Sequence, residues 1–363
     1  MNQQSTETSA GVPLGEPDMV PGIQMRREIA EQPDCWRRLI SDGAADIAAI
    51  ARRISERSPR FVLFAARGTS DHAALYGKYL AEIRYGKPSG LASPSTASLY
   101  GSDTDHRDVL MIAVSQSGGS PDVLESVQAV RRGGGVTVAV TNNAQSPLAR
   151  AAEFSIDVLA GRELAVAATK SYTSQLLALY LLFCGLTGMD SQQASRLADL
   201  GSELLGAEPE VAGLAHRLRY ADRLVTTARG YSYPTAREAA LKLMETSYVS
   251  AQAFSAADLM HGPLAMIDRE VPVLAVRADG AGGRAMQEPL QRLRSDAVDV
   301  FSVGTPEAVA ASSGGVTLPG GVPEELSPLL EILPFQYLAL HLSLQRGENP
   351  DTPRGLRKVT ETL

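Results

Sequence analysis

The chain has 363 residues, of which 44% are hydrophobic and 21% charged, so it is long enough to bury two hydrophobic cores. Its 41 acidic residues outnumber its 34 basic residues, and the net charge of −7 provides no overall attraction to nucleic acid or to an anionic membrane. The two cysteines and five histidines have no spacing that suggests a disulfide framework or a metal site. We see no signal peptide and no apolar run long enough to span a bilayer, so we predict a cytoplasmic protein.

The first predicted elements follow a polar N-terminal segment. Residues 1–22 are rich in Ser, Thr, Gly, Pro and Glu and lack a hydrophobic period, which predicts a disordered tail. A helical pattern occupies residues 25–57. A strand at 61–66 then runs into Arg67-Gly68-Thr69-Ser70-Asp71 and a helix that extends to Glu82.

The next unit, at residues 109–132, is the most informative part of the chain. Six of the seven residues from Val109 to Ser115 are apolar, which predicts a strand buried on both faces, and Ser120-Pro121 predicts a helix start. Between them, Ser115-Gln116-Ser117-Gly118-Gly119 places hydroxyl groups and glycines directly before a helix N-terminus, a combination that suits a phosphate. Because this turn lacks the lysine of a nucleotide P-loop, it predicts a site for a small phosphomonoester such as a sugar phosphate. A plain capped turn is the alternative.

Strands at 136–140 and 154–158 continue the alternation of strands and helices, which predicts a parallel α/β sheet with ligands at the carboxyl ends of its strands. The pattern then repeats, because Ala228-Arg229-Gly230-Tyr231-Ser232 matches Ala66-Arg67-Gly68-Thr69-Ser70 at four of five positions. This repeat predicts two similar α/β domains around a pseudo-twofold axis. The second copy follows its strand with residues 277–283, which contain no hydroxyl group, so we expect one phosphate site per chain, in the first half.

Three segments of the second half could carry chemistry. The predicted helix after Tyr233-Pro234 places Glu238, Lys242 and Glu245 on one face, either as a reactive group or as an exposed stripe of ion pairs. His261 precedes a Gly-Pro break and could transfer protons during opening of a pyranose ring, although a structural histidine is the alternative. The polar C-terminal tail could bring a lysine to a sugar carbonyl or remain solvated.

Taken together, these segments resemble the sugar isomerase (SIS) superfamily, and specifically the isomerase half of glucosamine-6-phosphate synthase. The resemblance covers about 340 residues and implies an α/β fold of two tandem SIS domains, each a parallel five-stranded sheet flanked by helices in a flavodoxin-like three-layer sandwich. It implies a first domain at 23–200, a second at 201–345 and a C-terminal tail at 346–363 that closes the active site. The segments that carry it are Glu28-Ile29-Ala30-Glu31-Gln32-Pro33, Arg67-Gly68-Thr69-Ser70, Ser115-Gln116-Ser117-Gly118, Ala165-Val166-Ala167-Ala168-Thr169-Lys170, Ala240-Leu241-Lys242, His261-Gly262-Pro263-Leu264 and Pro353-Arg354-Gly355-Leu356.

The resemblance also implies roles for individual residues. Glu245 would move a proton between C1 and C2 of the sugar, with Lys242 as the cation beside the developing enolate oxygen. His261 would open the ring and would come from a neighbouring subunit, which implies a homodimer, while Lys358 would reach the sugar carbonyl. The residues implied to bind the sugar or its phosphate are Gly68, Thr69, Ser70, Ser115, Gln116, Ser117, Ser120, Val166 and Ala167.

One departure from the synthase decides the predicted reaction. A synthase needs a glutaminase domain with an N-terminal cysteine, whereas position 2 here is Asn2 and about two dozen residues precede the SIS region, so glutamine is not expected to supply nitrogen. The segments look more like SIS-type glucosamine-6-phosphate deaminases, which implies conversion of glucosamine-6-phosphate and water to fructose-6-phosphate and ammonia without a cofactor. The alternatives are a galactosamine-6-phosphate deaminase or isomerase, a deglycase of amine-modified sugar phosphates, a synthase subunit fed ammonia by a separate glutaminase, and a non-catalytic phosphosugar sensor.

Overall fold

The computed structural model describes residues 20–102 and 104–358 and contains two parallel five-stranded sheets. The first consists of β1 (Phe61–Ala65), β2 (Ser89–Leu91), β3 (Val109–Ser115), β4 (Val136–Thr141) and β5 (Phe154–Asp157), in the order β2-β1-β3-β4-β5. The second consists of β6 (Arg223–Ala228), β7 (Ser250–Ser255), β8 (Val273–Arg277), β9 (Val300–Gly304) and β10 (Gly314–Thr317), in the order β7-β6-β8-β9-β10. Both sheets have the flavodoxin-like order, so the predicted fold of two tandem α/β units is confirmed.

Helices connect the strands and cover the sheets. Those associated with the first sheet are α1 (Ile23–Ala30), α2 (Gln32–Arg38), α3 (Ala44–Glu56), α4 (Thr69–Ile83), α5 (Ser95–Ser98), α6 (Pro121–Arg132), α7 (Pro147–Ala151) and α8 (Lys170–Thr187). Those that follow are α9 (Leu197–Leu204), α10 (Glu208–Leu218), α11 (Tyr233–Ser247), α12 (Ala256–Met260), α13 (Ala281–Ala285), α14 (Gln287–Ser295), α15 (Pro306–Ala310) and α16 (Ser327–Gln345). Single π or 3-10 turns occur at Leu39–Gly43, Gln192–Arg196, Leu205–Ala207, Gly230–Ser232 and Pro263–Met266.

The hydrophobic core follows the two-residue period of the strands. In β3, Leu110, Ile112 and Val114 belong to a large cluster that also contains residues of the second sheet, such as Leu274. The alternate β3 residues, including Met111, face a separate cluster on the outer side of the first sheet. Because side chains alternate between the faces of a strand, each sheet has one face in a core that is common to both halves and one face in a core of its own.

The longest helices lie in the common core. Nearly every side chain of α8 and α16 is buried, because α8 packs against α3 and α4 while α16 packs against α10 and α11. In the part of the chain that the structure describes, no helix is both long enough and apolar enough to cross a membrane.

The two ends of the described chain meet. The carboxylate of Asp351 accepts hydrogen bonds from the backbone N–H groups of Gln24, at 3.2 Å, and Met25, at 2.8 Å, in the first turn of α1. Gly22 donates its N–H to the side-chain oxygen of Asn349, at 3.3 Å. The predicted disordered tail lies outside the described residues as far as residue 19, and the domain limits at residues 200 and 345 stay predictions.

Candidate active site

A cavity of about 500 Å³ lies at the carboxyl ends of β1 and β3, where the order of the first sheet reverses. This switch point is where open α/β sheets bind their ligands. The lining comes from four segments of the first half, from α11 and from the C-terminal segment. Its residues are Arg67, Gly68, Thr69, Ser70, Ser115, Gln116, Ser117, Ser120, Val166, Ala168, Ser171, Glu245, Leu356, Arg357 and Lys358.

The serine-rich loop between β3 and α6 forms one wall of this cavity. Gly118 has a φ of +65°, and a Cβ there would lie 2.2 Å from the hydroxyl oxygen of Ser146, so only glycine fits. The loop is folded by its own bonds, since the hydroxyl oxygen of Ser115 accepts the N–H of Gly118 at 3.1 Å. Ser120 occupies the N-cap position, but its side chain accepts no bond from the first turn of α6. Ser120 thus lines the cavity without capping the helix, and the loop places hydroxyl-bearing residues beside a helix N-terminus.

An arginine that the sequence interpretation did not assign to the site lies beside this loop. The guanidinium of Arg67 donates from Nε and Nη2 to one oxygen of Asp122, at 2.7 and 2.5 Å. Asp122, in the first turn of α6, is buried, whereas half of the Arg67 side chain is exposed. The ion pair therefore holds the loop after β1 against the start of α6 and leaves cationic surface on the cavity wall.

The charged residues of α11 are buried, so the alternative of an exposed stripe is wrong for this helix. Glu238 and Lys242 are fully buried, and about a quarter of the Glu245 side chain is exposed. The ammonium of Lys242 contacts the carboxylate of Glu245 and lies 3.4 Å from Oε1 of Glu238. Burial alone would lower the pKa of Lys242, but the two carboxylates outweigh it and raise the pKa. Lys242 thus stays charged directly behind Glu245, which itself faces the cavity.

Glu238 connects this helix to the first half of the chain. Its Oε1 accepts the hydroxyl of Thr69 at 3.0 Å, and its Oε2 lies 2.7 Å from Nδ1 of His72. Thr69 and His72 both stand in the first turn of α4. The predicted sugar-site threonine and the predicted base are therefore joined through a buried carboxylate and a buried lysine. The shared face of α11 was visible in the sequence, but its partners on α4 were not.

Lys358 reaches the cavity from the C-terminal segment and is held by a second buried carboxylate. Its ammonium donates to Oε2 of Glu163 at 2.9 Å and to the carbonyl oxygen of Ala165 at 2.6 Å. Glu163 also accepts the Ser171 hydroxyl at 2.7 Å and the Thr169 N–H at 2.9 Å. Burial would raise the pKa of the Glu163 carboxyl, but the charge of Lys358 and these hydrogen bonds lower it. Glu163 was not among the predicted site residues, although it lies only three residues before Val166, which was.

Three predicted site residues do not line this cavity. Lys242 lies behind Glu245, and Ala167 is buried between Val166 and Ala168, which do line it. His261 is exposed at the end of α12 and belongs to the second half. The roles assigned to all of the predicted residues, including His261 as a group supplied by a partner subunit, stay predictions. In residues 20–102 and 104–358, no group of three or more histidine, cysteine or carboxylate side chains is placed to hold a metal ion.

The corresponding loop of the second sheet is filled by the chain itself. The carboxylate of Glu324 accepts the backbone N–H groups of Ala281, at 2.8 Å, and Gly282, at 2.7 Å. A Cβ at Gly280 would lie 2.3 Å from the carboxylate carbon of Glu324, so glycine is required there. The place at which a phosphate would approach this loop is thus taken by an internal anion, which supports the expectation of a single phosphate site per chain.

Comparisons with known proteins place this geometry in context. The SIS domain family matches the chain over residues 57–185 and 217–300, which include strands of both sheets. The glutamine–fructose-6-phosphate aminotransferases (isomerizing) of Pyrococcus horikoshii and Thermococcus kodakarensis are each 34% identical over 92% of this chain and 57% of their own length. The chain therefore spans somewhat more than half of these curated relatives.

Solved structures give a similar result. A proposed phosphosugar isomerase from Silicibacter pomeroyi DSS-3 superposes with a TM-score of 0.82 at 33% identity, covering 92% of this chain and 100% of that one. Glucosamine-6-phosphate deaminase from Thermotoga maritima superposes with a TM-score of 0.76 at 22% identity, covering 93% and 100%, a similarity that concerns the fold alone.

Proposed function

Because this chain belongs to the SIS domain family, we propose that it is an enzyme of the aldose–ketose isomerase type that acts on amino-sugar phosphates. The specific reaction that we propose is the conversion of glucosamine-6-phosphate and water to fructose-6-phosphate and ammonia. One observation carries this proposal: Glu245, held by the buried ammonium of Lys242, shares a cavity with the serine-rich loop that suits a phosphate. A base and an anion site in one cavity are what isomerisation of a phosphosugar requires.

The proposed reaction begins with binding and ring opening. The phosphate is held by the loop hydroxyls and by the N-terminus of α6, so that the sugar carbons lie toward α11. His261 of a partner subunit opens the pyranose by taking a proton from O1 and returning one to O5. The open form has an aldehyde at C1 and an amino group at C2.

The second stage moves one proton and releases the amine. Glu245 takes the proton from C2, and the electron pair forms an enolamine between C1 and C2 while the aldehyde oxygen takes a proton from water. Glu245 then returns its proton to C1, and the nitrogen, now an iminium, gives a proton back to leave an imine at C2. Water adds to this imine, the C–N bond breaks, and ammonia leaves a ketone behind. The ammonium of Lys242 lies behind Glu245 and stabilises its carboxylate before and after the proton transfers.

Lys358 has two possible roles in this scheme, as a Schiff-base nucleophile or as a charged residue that closes the cavity. A nucleophilic lysine must first lose a proton. The side-chain nitrogen of Lys358 is bonded to the buried carboxylate of Glu163 and to the carbonyl oxygen of Ala165, so attack on a sugar carbonyl would require it to leave both partners. This pairing supports the second role, in which Lys358 completes the cavity wall and contributes positive charge.

The test is ammonia release by the purified protein from glucosamine-6-phosphate or from galactosamine-6-phosphate, without glutamine, while the ketose phosphate is measured in parallel. Release from one epimer would support the deaminase and identify its substrate. No release from either, despite binding of the phosphosugars, would favour a sensor or a deglycase. Synthesis of the amino sugar from fructose-6-phosphate and ammonium, with no measurable deamination, would favour the synthase subunit, a possibility that the 34% identity to aminotransferases raises.

A matched pair of variants locates the chemistry. Glu245→Gln keeps the shape of the side chain but removes the base, so we expect turnover to fall by about 10²–10⁴-fold with little change in phosphosugar affinity. Glu82→Gln changes a glutamate of an exposed lysine pair on α4 and should leave turnover unchanged. Near-normal turnover in Glu245→Gln would contradict the proposed mechanism.

A further inference from the structure

We propose that Tyr248 is a positioning residue that holds the Lys358-bearing C-terminal segment against the helix that carries Glu245. The segment meant here is residues 349–358. The inference rests on the proposed function, because Glu245 and Lys358 matter as a pair only if the cavity between them binds a sugar phosphate. It adds a residue that does not line the cavity and that neither the sequence motifs nor the family match single out.

The first observation is the backbone of Tyr248. This residue follows α11 directly and has a φ of +55°, in the left-handed region that bulky side chains rarely adopt. Helices often end in this conformation, but glycine or asparagine usually provides it. A tyrosine in this conformation directs attention to what its side chain contacts where the helix ends. Glu245 lies only three residues earlier.

The second observation is what the side chain contacts. The phenol oxygen of Tyr248 accepts the backbone N–H of Arg354 at 2.8 Å. The guanidinium of the same arginine lies over the ring, with its central carbon 3.9 Å from the ring centroid. One side chain therefore holds both the backbone and the side chain of a residue in the C-terminal segment.

The third observation is the course of that segment. Asp351 anchors it at the N-terminus of α1 and, through its carbonyl oxygen, accepts the N–H of Val166 at 3.1 Å. Arg354 comes next and is held by Tyr248, after which Leu356, Arg357 and Lys358 line the cavity. Asp351 thus ties the segment to the first half, and Tyr248 ties it to α11. The position of Lys358 opposite Glu245 depends on both anchors.

A second arginine–tyrosine contact in the chain, between Arg219 and Tyr220, lies away from the cavity and serves as a comparison. Arg219 lies 4.3 Å from the ring centroid of its neighbour Tyr220, which is 80% exposed. Neither residue lines the cavity. Tyr220 also lacks the left-handed backbone and the hydrogen bond to a distant N–H that distinguish Tyr248. Tyr220→Ala is therefore the matched control.

Kinetic measurements test the proposal first. Tyr248→Ala should raise the KM for glucosamine-6-phosphate about tenfold and lower kcat by no more than about threefold, because the cavity wall loosens while Glu245 and Lys242 stay in place. Tyr248→Phe keeps the ring under Arg354 and should recover most of the affinity. Tyr220→Ala should match the wild type. A Tyr248→Ala enzyme with unchanged KM, or with kcat and thermal stability lowered together at constant KM, would overturn the proposal.

A double variant shows whether Tyr248 acts through Lys358. If it does, Tyr248→Ala combined with Lys358→Ala should have the KM of Lys358→Ala alone, because the residue that Tyr248 positions is already gone. Effects on KM that multiply would mean that the two residues act independently, and the proposal would be wrong.

Limited proteolysis tests the role of Tyr248 independently of the proposed reaction. Trypsin can cleave after Arg354, Arg357 and Lys358, and mass spectrometry of the intact protein reports the rate. We expect Tyr248→Ala to be cut in this segment at least about fivefold faster than the wild type or Tyr220→Ala, since local opening controls cleavage. If Tyr248→Ala is cut faster but the wild type releases no ammonia, the role of Tyr248 as an anchor is supported and only the proposed reaction is contradicted. Equal cutting rates would refute the anchor.

Discussion

Buried carboxylates of this protein fall into two kinds according to whether a cation lies beside them. Glu163 contacts Lys358, whose charge, together with the hydrogen bonds to Glu163, outweighs the effect of burial. The pKa of the Glu163 carboxyl is therefore lowered. Among the described residues, Glu331 on α16 has no ion-pair partner, and it accepts the hydroxyls of Ser232, Thr235 and Ser327 at 2.7, 2.8 and 2.6 Å. Burial therefore raises the pKa of Glu331 to about 7. The two kinds predict opposite responses to pH.

The first residue-level prediction concerns Glu331. Between its ordinary pKa of 4.5 and its folded-state pKa of about 7, the folded protein holds a proton that the unfolded chain has lost, so stability falls as pH rises through this interval. Glu331→Gln should remove up to about 3 kcal/mol of that loss. The measurement is denaturant unfolding at pH 5 and pH 7.5. Burial also raises the pKa of Glu28 to about 7, so the double variant with Glu28→Gln should lose still less stability between the two pH values. An unchanged slope in Glu331→Gln would show that this carboxyl is ionised at neutral pH.

The second residue-level prediction concerns the Lys358 pair. Lys358→Met leaves a buried carboxylate without its cation, which should lower the free energy of unfolding at neutral pH by about 2–4 kcal/mol. The loss should shrink as the pH is lowered, because a protonated Glu163 no longer needs the cation. Adding Glu163→Gln should restore most of the stability. Lys78→Met removes the cation of an exposed glutamate pair and should cost less than about 1 kcal/mol. Equal losses in the two lysine variants would mean that the Glu163 pair is effectively solvated.

At the scale of single elements, the sequence predicted the buried strands and the helices that follow them. β1, β3 and β4 appear within a residue of their expected ends, because continuous apolar runs between turn residues are distinctive in parallel sheets. β2 was missed because Ser89-Gly90-Leu91 contains no such run and pairs with a neighbour on only one side. The partners of the site charges were missed for a different reason. Glu163 and Lys358 are 195 residues apart, and no local spacing connects them.

The loop after β3 gives a prediction at this scale. Gly118→Ala places a methyl group against Ser146 and should raise the KM for the sugar phosphate at least about tenfold, because the loop must shift away from the phosphate. Gly86 has the same φ of +65° with nothing within 4 Å of a Cβ, so Gly86→Ala carries the backbone strain alone. Steady-state kinetics and thermal unfolding of both variants separate the two effects. Equal KM values would show that the loop does not hold the phosphate.

At the scale of the whole molecule, the site belongs to neither half alone. The first half supplies the serine-rich loop, and the second half supplies the helix with Glu245. The two halves are joined by the contacts of Glu238 with Thr69 and His72. They also share a hydrophobic core to which both sheets contribute side chains. Rigid attachment of the halves is therefore a condition for placing the proposed base near the proposed phosphate site.

The proposed contribution of His261 across a dimer interface gives a prediction about assembly. Glu245→Gln and His261→Ala should each be inactive as homodimers. After mixing and subunit exchange, one site of each mixed dimer would contain both intact residues, so activity should return to about a quarter of the wild type. The same mixture kept below the dissociation temperature of the dimers serves as the control. Continued inactivity after verified exchange would show that Glu245 and His261 act within one chain or do not act together.

Glu324, which fills the loop of the second sheet, makes that loop independent of any outside ligand. The N–H groups of Ala281 and Gly282 are satisfied within the chain, and Gly280 leaves room for the Glu324 carboxylate to approach them. The serine-rich loop of the first half lines a cavity instead. The corresponding turns of the two sheets are therefore closed by an internal anion in one half and open to the cavity in the other.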